Sequence, residues 1–206
     1  CKQHVPAYQT ILPSELEINA DPFHVLYSCV SPLQKHTFQS DSDRYLADNI
    51  DDTQRIPNCT GGSTGEPVHF YMTRQQVESY EAARWRGLSW YGITPGSRSV
   101  MLWGSPIELS KQAQFINRLR EQLLKNRRIL SAYQLSDQNL KKYVKFMERY
   151  KPEYLYGYAT ILTAFAQMIK QRDIELRFDL KAVVSTSETL EAWQLELLQQ
   201  IFHCPI

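Results

Sequence analysis

From Thr73 to its last residue this 206-residue chain alternates between two kinds of segment, and that alternation limits its possible folds more than any other feature. Short apolar runs punctuated by Gly, Pro or Ser read as strands buried on both faces, and the stretches between them carry apolar residues at helical spacing. Thr73 and Gln76 stand at capping-box spacing, and Val77, Tyr80, Arg84, Leu88 and Tyr91 recur as one helix face until Gly92 and Pro95. The run Val100 to Trp103 is the first buried strand. A helix from Ser110 follows, with Ala113, Ile116, Leu119 and Leu123 on one face, then a strand Ile129 to Tyr133. Ser136 caps a helix with Leu140, Val144 and Met147 inward, which Pro152 breaks, and Tyr154 to Gly157 is the next strand. A helix with Ile161, Leu162, Phe165, Met168 and Ile169 leads to the strand Lys181 to Ser185, and Thr189 caps a last helix with Leu190, Trp193, Leu197 and Ile201. Buried strands joined through helices need crossovers. The expected fold class is therefore α/β, a mostly parallel sheet covered by helices, with ligands beyond the carboxyl ends of the strands.

The first part of the chain lacks this order. Pro6, Pro13, Pro22, Pro32 and Pro57 interrupt it, and residues 1–56 read as an irregular arm or peripheral lobe packed by Tyr8, Phe23, Tyr27, Phe38 and Tyr45, with a helical turn or two between Ser40 and Leu46. The acidic run Asp48 to Asp52 reads as a solvated turn. Residues 57–206 form the expected α/β region.

Charge excludes whole classes of function. With 23 Lys and Arg against 22 Asp and Glu, the net charge is +1, and no long-range basic field draws in nucleic acid or an anionic membrane. No apolar run approaches the about 20 residues of a membrane span. Cys1, Cys29, Cys59 and Cys204 are scattered, with no Cys-x-x-Cys pair and no His at ligand spacing. Neither a disulfide framework nor a zinc site follows, and reduced thiols in a cytoplasmic protein are the expectation. The opening on Cys1 and the stop at Cys204-Pro205-Ile206, where an extended segment begins, read as a piece of a longer protein.

One loop stands apart. Thr60-Gly61-Gly62-Ser63-Thr64-Gly65-Glu66-Pro67 places three glycines within five residues, interleaved with hydroxyls. Glycines let backbone N–H groups converge on an anion, and hydroxyls donate to phosphate oxygens or reach magnesium. A triphosphate cradle and a polar surface turn both fit this composition. The position after the final glycine is Glu66, so the Walker pattern is absent, and the glycine spacing is not that of a dinucleotide fingerprint. The loop leads into the short strand Val68 to Tyr71. A carboxylate within about 4 Å of a phosphate is repelled by about 1 kcal/mol even in water, so Glu66 is expected to point away.

The string Thr60 to Pro67 resembles the phosphate loop of AMP-forming acyl-adenylate enzymes, and its context resembles the phenylacetate–CoA ligase and CapK-like branch. Pro152, Leu155, Gly157 and Tyr158 match that branch's P-x-x-L-x-G-Y segment. Val183 to Leu190 is similar to its strand followed by T-S/G-x-E-x-L, and Phe202 to Ile206 resembles the stretch that precedes its Tyr-Gly-x-Thr-Glu element. The resemblance covers about residues 35–206. It implies part of the large N-terminal domain of an enzyme that joins a small-molecule carboxylic acid to the α-phosphate of ATP and passes the acyl group to a thiol such as coenzyme A. Under it Thr60, Gly61, Gly62, Ser63, Thr64 and Gly65 bind the β- and γ-phosphates, and Ser187 and Glu188 lie near the adenine. A polar cap on the final helix is the competing reading of that pair. Magnesium is expected on phosphate oxygens rather than in a protein cage. Many relatives carry Lys where Val68 stands, and the remaining catalytic elements lie beyond Ile206, so the isolated chain is expected to be inactive and to depend on the missing C-terminal part of its own chain. A non-catalytic ATP- or adenylate-binding relative serving capsular polysaccharide biosynthesis is the alternative.

Three further groups have two readings each. Trp85, Trp90 and Tyr91, with Arg84 and Arg86, read as a core stripe or as a pocket for an aromatic acid. Lys125 to Arg128 reads as a solvated helix end or a phosphate contact. His69 follows the loop closely and reads as a solvent-facing strand residue or a ligand contact.

Overall fold

The computed structural model describes residues 3–12, 21–60, 66–103, 119 and 121–206. They group into two compact units, Cys1–Tyr80 and Glu81–Ile206.

The second unit is built on four parallel strands: β3 (Ser99–Trp103), β4 (Arg127–Ser131), β5 (Tyr154–Tyr158) and β6 (Ala182–Thr186), in the order β4-β3-β5-β6. Leu102 is in register with Leu130 on one side and Gly157 on the other, and Gly157 with Ser185 beyond it. This is the α/β parallel sheet expected of the alternation. The strand order steps from β3 outward to β4 and then back across to β5, which makes the β3/β5 junction the switch point of the sheet.

Side chains alternate across the strands, so each face has its own partners. On one face Val100, Leu102, Leu155 and Val183 are buried against Leu140, Val144 and Met147 of α5 (Asp137–Tyr150), Leu162, Phe165, Ala166 and Ile169 of α6 (Ala159–Gln171), and Leu198 and Phe202 of α7 (Ala192–Phe202). Each large side chain so buried contributes about 1.5–3 kcal/mol. On the other face Tyr154 and Ala182 pack with Ile93 and with Leu88 of α4 (Arg74–Ser89), and Trp85, Tyr156 and Val184 border them. The apolar spacings named above for α5 and α6 thus mark the true core faces.

Several boundaries differ from expectation for identifiable reasons. The strand expected over Ile129–Tyr133 runs instead over Arg127–Ser131, and Ala132–Gln134 is a 3-10 turn. Arg127 pairs with Glu121 at 3.4 Å and Arg128 lies 5.1 Å from the Tyr150 ring, so both charged residues are held inside a strand where the sequence reads as a helix end. Thr189 does not cap the last helix. Glu191 does, in a capping box with Gln194, whose side chain accepts the Glu191 N–H at 2.9 Å. Helix α5 stops as foreseen before Pro152, through Lys151 in the left-handed region. The expected helix from Ser110 falls mostly outside the described residues; residues 121–124 are helical.

The first unit is more helical than its prolines suggest. Pro6 opens α1 (Pro6–Ile11) and Pro22 opens α2 (Pro22–Cys29), where the missing N–H costs nothing; α3 (Lys35–Ser40) and two 3-10 turns follow. Tyr45 packs against Tyr8 and Phe38, at 6.2 and 5.3 Å between ring centroids. Phe23 and Tyr27, expected in the same cluster, are 68% and 84% exposed. The acidic run is consumed locally: Asp51 accepts from the N–H and hydroxyl of Thr53, which hold its carboxyl below its ordinary range, Asp48 meets His4, and Asp52 meets Arg55. The antiparallel hairpin β1 (Arg55–Cys59) and β2 (His69–Thr73) carries the glycine-rich loop, and the capping box at its exit is formed, with Thr73 N–H to Gln76 at 2.8 Å and the reciprocal bond at 3.2 Å.

The amino ends of the sheet are tied by ionic contacts. Glu153 accepts from Lys181 Nζ at 2.7 Å, from the Arg98 N–H at 3.1 Å and from the Ser97 hydroxyl at 3.3 Å. The Lys181 ammonium, chiefly, holds the Glu153 carboxyl below its ordinary value against the opposing effect of burial. A lowered carboxyl stabilises the fold above its unfolded value and ceases to do so as pH falls through its folded value. Glu153→Gln is therefore expected to cost most near pH 7, with its deficit in urea midpoint closing as pH falls through the lowered range of the Glu153 carboxyl. A second expectation concerns Gly157, where a Cβ would stand 2.8 Å from the Leu102 carbonyl oxygen. Gly157→Ala must push β3 and β5 apart and is expected to destabilise by about 1–3 kcal/mol, read from urea denaturation followed by circular dichroism.

Candidate functional site

The carboxyl ends of the strands carry a different chemistry from the amino ends. Tyr154, Tyr156 and Tyr158 point to one face of β5 by its period of two, and the last two rise toward the end of the strand, where Trp103 closes β3. Trp103 stacks on Tyr158 at 4.2 Å between centroids and 23° between planes, and lies 6.2 Å from Tyr156. The three rings form a platform at the switch point. Burial raises the Tyr158 phenol above its ordinary value, and the negative charge of Glu188 adds to the effect. Its hydroxyl therefore keeps its proton at neutral pH.

Beyond β6, Ser187 adopts φ +63°, a left-handed conformation that a residue with a Cβ adopts at a cost of about 1–2 kcal/mol. Glu188 follows it. Its carboxylate accepts the Thr160 backbone N–H at 2.7 Å and the Thr160 hydroxyl at 2.8 and 3.0 Å. Helix α6 has Tyr158 at its N-cap, whose side chain caps nothing, so its first amides look elsewhere for an acceptor. A carboxylate from 28 residues away supplies one, with the favourable charge for that end of a helix. Glu188 is thus a cap, though of α6 and not of the final helix.

The expected phosphate binders Gly61, Gly62, Ser63, Thr64 and Gly65 lie outside the described residues. The mouth of their loop is described. Thr60 donates its N–H to the Val68 carbonyl at 2.9 Å, and its hydroxyl accepts the Val68 N–H at 3.0 Å, which leaves the hydroxyl proton to donate. The Gln39 side-chain amide donates to the Pro67 carbonyl at 3.2 Å. Thr60, Glu66 and His69 are exposed, as is Cys59 beside them, whereas burial pushes the Cys204 thiol up to about 11. Thr60 belongs to the first unit, and Ser187 and Glu188 to the second.

The remaining candidates resolve toward structural roles. Trp85 borders the core while Arg84 covers its ring at 4.6 Å and pairs with Glu81 at 2.7 Å; Trp90 is 73% exposed. Lys125 and Arg127 both meet Glu121, and the Asn126 side chain binds the Gly96 carbonyl at 2.9 Å, so this cluster braces the amino end of β4. Among the described residues no three His, Cys, Asp or Glu side chains converge as a metal cage, and no helix is long and apolar enough to cross a membrane. Sequence reasoning missed the Trp103 platform and Thr160. The alternating tyrosines of β5 signalled the first; nothing local signals the second, because its partner is distant in the chain.

No protein-family model matches the chain. Over 147 residues it is 31% identical to Protein CapK of Staphylococcus aureus, an overlap of 71% of this chain and 32% of that protein. The fold is similar to 2-hydroxyisobutyryl-CoA ligase in an open conformation with 2-HIB-AMP and CoA, at TM-score 0.61 and 14% identity, covering 99% of this chain and 45% of that one. The same ligase in its thioesterification state matches at TM-score 0.62 and 13% identity over 98% of this chain and 44% of that one. The chain thus spans about a third of its curated relative and under half of these ligases. In fold the chain is similar to part of this CoA ligase, and in sequence it is similar to Protein CapK.

Proposed function

We propose that this chain is part of a cytoplasmic, ATP-dependent, AMP-forming carboxylate ligase of the phenylacetate–CoA ligase type, with residues 57–206 as its nucleotide-binding region and residues 1–56 as a peripheral arm. The observation that carries this reading is the fold match to a CoA ligase over nearly the whole chain, joined to a CapK-like sequence. In the reaction a carboxylate oxygen bonds to the α-phosphorus of ATP as the bond to the β-phosphate oxygen breaks, releasing pyrophosphate. A thiol, with coenzyme A as the acceptor, then gives up its proton and attacks the acyl carbon, and AMP leaves.

The chain's own residues bind and orient. Backbone amides of Gly61, Gly62 and Gly65 and the hydroxyls of Thr60, Ser63 and Thr64 hold the β- and γ-phosphates, where charge-assisted bonds are about twice as strong as neutral ones. Ser187 and Glu188 present the adenine-side turn. Among these groups the hydroxyls of Thr60, Ser63 and Thr64 are the ones that could ligate a magnesium ion, which would neutralise part of the triphosphate charge. Elements outside this chain complete the chemistry.

A second reading, an adenylate-binding relative without catalysis that serves capsular polysaccharide biosynthesis, is favoured by Val68, which supplies no charge where many relatives carry Lys. ATP–pyrophosphate exchange by the full-length protein, screened over aryl and short-chain acids, separates the two. The ligase reading expects exchange with at least one acid and a loss of about tenfold or more in Thr64→Ala. Absence of exchange with every acid, alongside retained ATP binding, favours the binder.

A further inference from the structure

Helix α6 begins with a residue that cannot cap it, and the turn after β6 contains a residue in a conformation that does not favour a side chain. One contact answers both. The Glu188 carboxylate takes the Thr160 N–H at 2.7 Å and the Thr160 hydroxyl at 2.8 Å, so the turn is tied at its third residue to the first turn of a 13-residue helix. That helix is itself fixed, since Leu162, Phe165, Ala166 and Ile169 are fully buried against the sheet. Thr186 ends β6 in register with Tyr158, so the turn is held from the strand on one side and from α6 on the other. The Thr160 hydroxyl is exposed and contributes nothing to the core; its described partner is Glu188.

We propose that Thr160 is a positioning residue for adenine binding: it holds the turn Thr186-Ser187-Glu188 in the shape that receives the base, and Glu188 acts through this bond rather than by touching nucleotide. The inference rests on the proposed adenine role of Ser187 and Glu188. It sets Glu188 apart from a base-contacting acid, for which Thr160 would be immaterial.

The test compares wild-type, Thr160→Val and Thr160→Ser in the full-length protein. AMP affinity is measured by calorimetric titration, and amide hydrogen exchange is followed at residues 186–189. Valine keeps the size of the side chain and the backbone N–H while removing the hydroxyl. The expected result is a three- to tenfold loss of AMP affinity in Thr160→Val, on the scale of one lost cap contact, with faster exchange at residues 186–189 and a melting temperature lowered by at most a few degrees. Thr160→Ser restores both readouts. Wild-type affinity and exchange in Thr160→Val overturn the inference alone. A loss of affinity with unchanged exchange, or one that serine does not restore, overturns it too. Failure of the full-length wild-type protein to bind AMP overturns the adenylate reading, and this inference with it.

Discussion

The second unit depends on the close approach of β3 and β5. Gly157 lies so near the Leu102 carbonyl that no Cβ fits between them, and this spacing sets the register through which Trp103 meets Tyr158. The same junction is where the strand order reverses, the position at which open α/β sheets bind ligands. One glycine therefore underlies both the packing of the central strands and the place of the aromatic platform.

The two ends of the sheet are specialised by chemistry. At the amino ends charge is spent on itself: Glu153 joins Lys181 to Arg98, and Asn126 reaches Gly96. At the carboxyl ends stand stacked rings, hydroxyls and a strained turn, with Ser187 and Glu188 facing solvent.

What could be read from the residues follows the range of the forces involved. Helical spacing and short apolar runs are local, and they gave the parallel sheet and nearly every core residue of α5 and α6 correctly. Arg127 and Arg128 misled because their strand positions are secured by Glu121 and Tyr150 from elsewhere in the chain. Pro6 and Pro22 read as breaks in the sequence, although proline starts a helix as readily as it ends one. At the site, the resemblance pointed to Ser187 and Glu188, whose adenine role stands as a proposal. The bond from Glu188 to Thr160 could not be read at all, since no periodicity links residues 28 apart.

The contrast between Cys59 and Cys204 has a practical side. A thiol whose ionisation is pushed to about 11 by burial exists almost wholly in its unreactive form at neutral pH, whereas the thiol beside the loop mouth is open to solvent. Of these two sulfurs, a maleimide dye would choose the one next to Thr60, and with Cys1 and Cys29 replaced its emission would report on events at the glycine-rich bend.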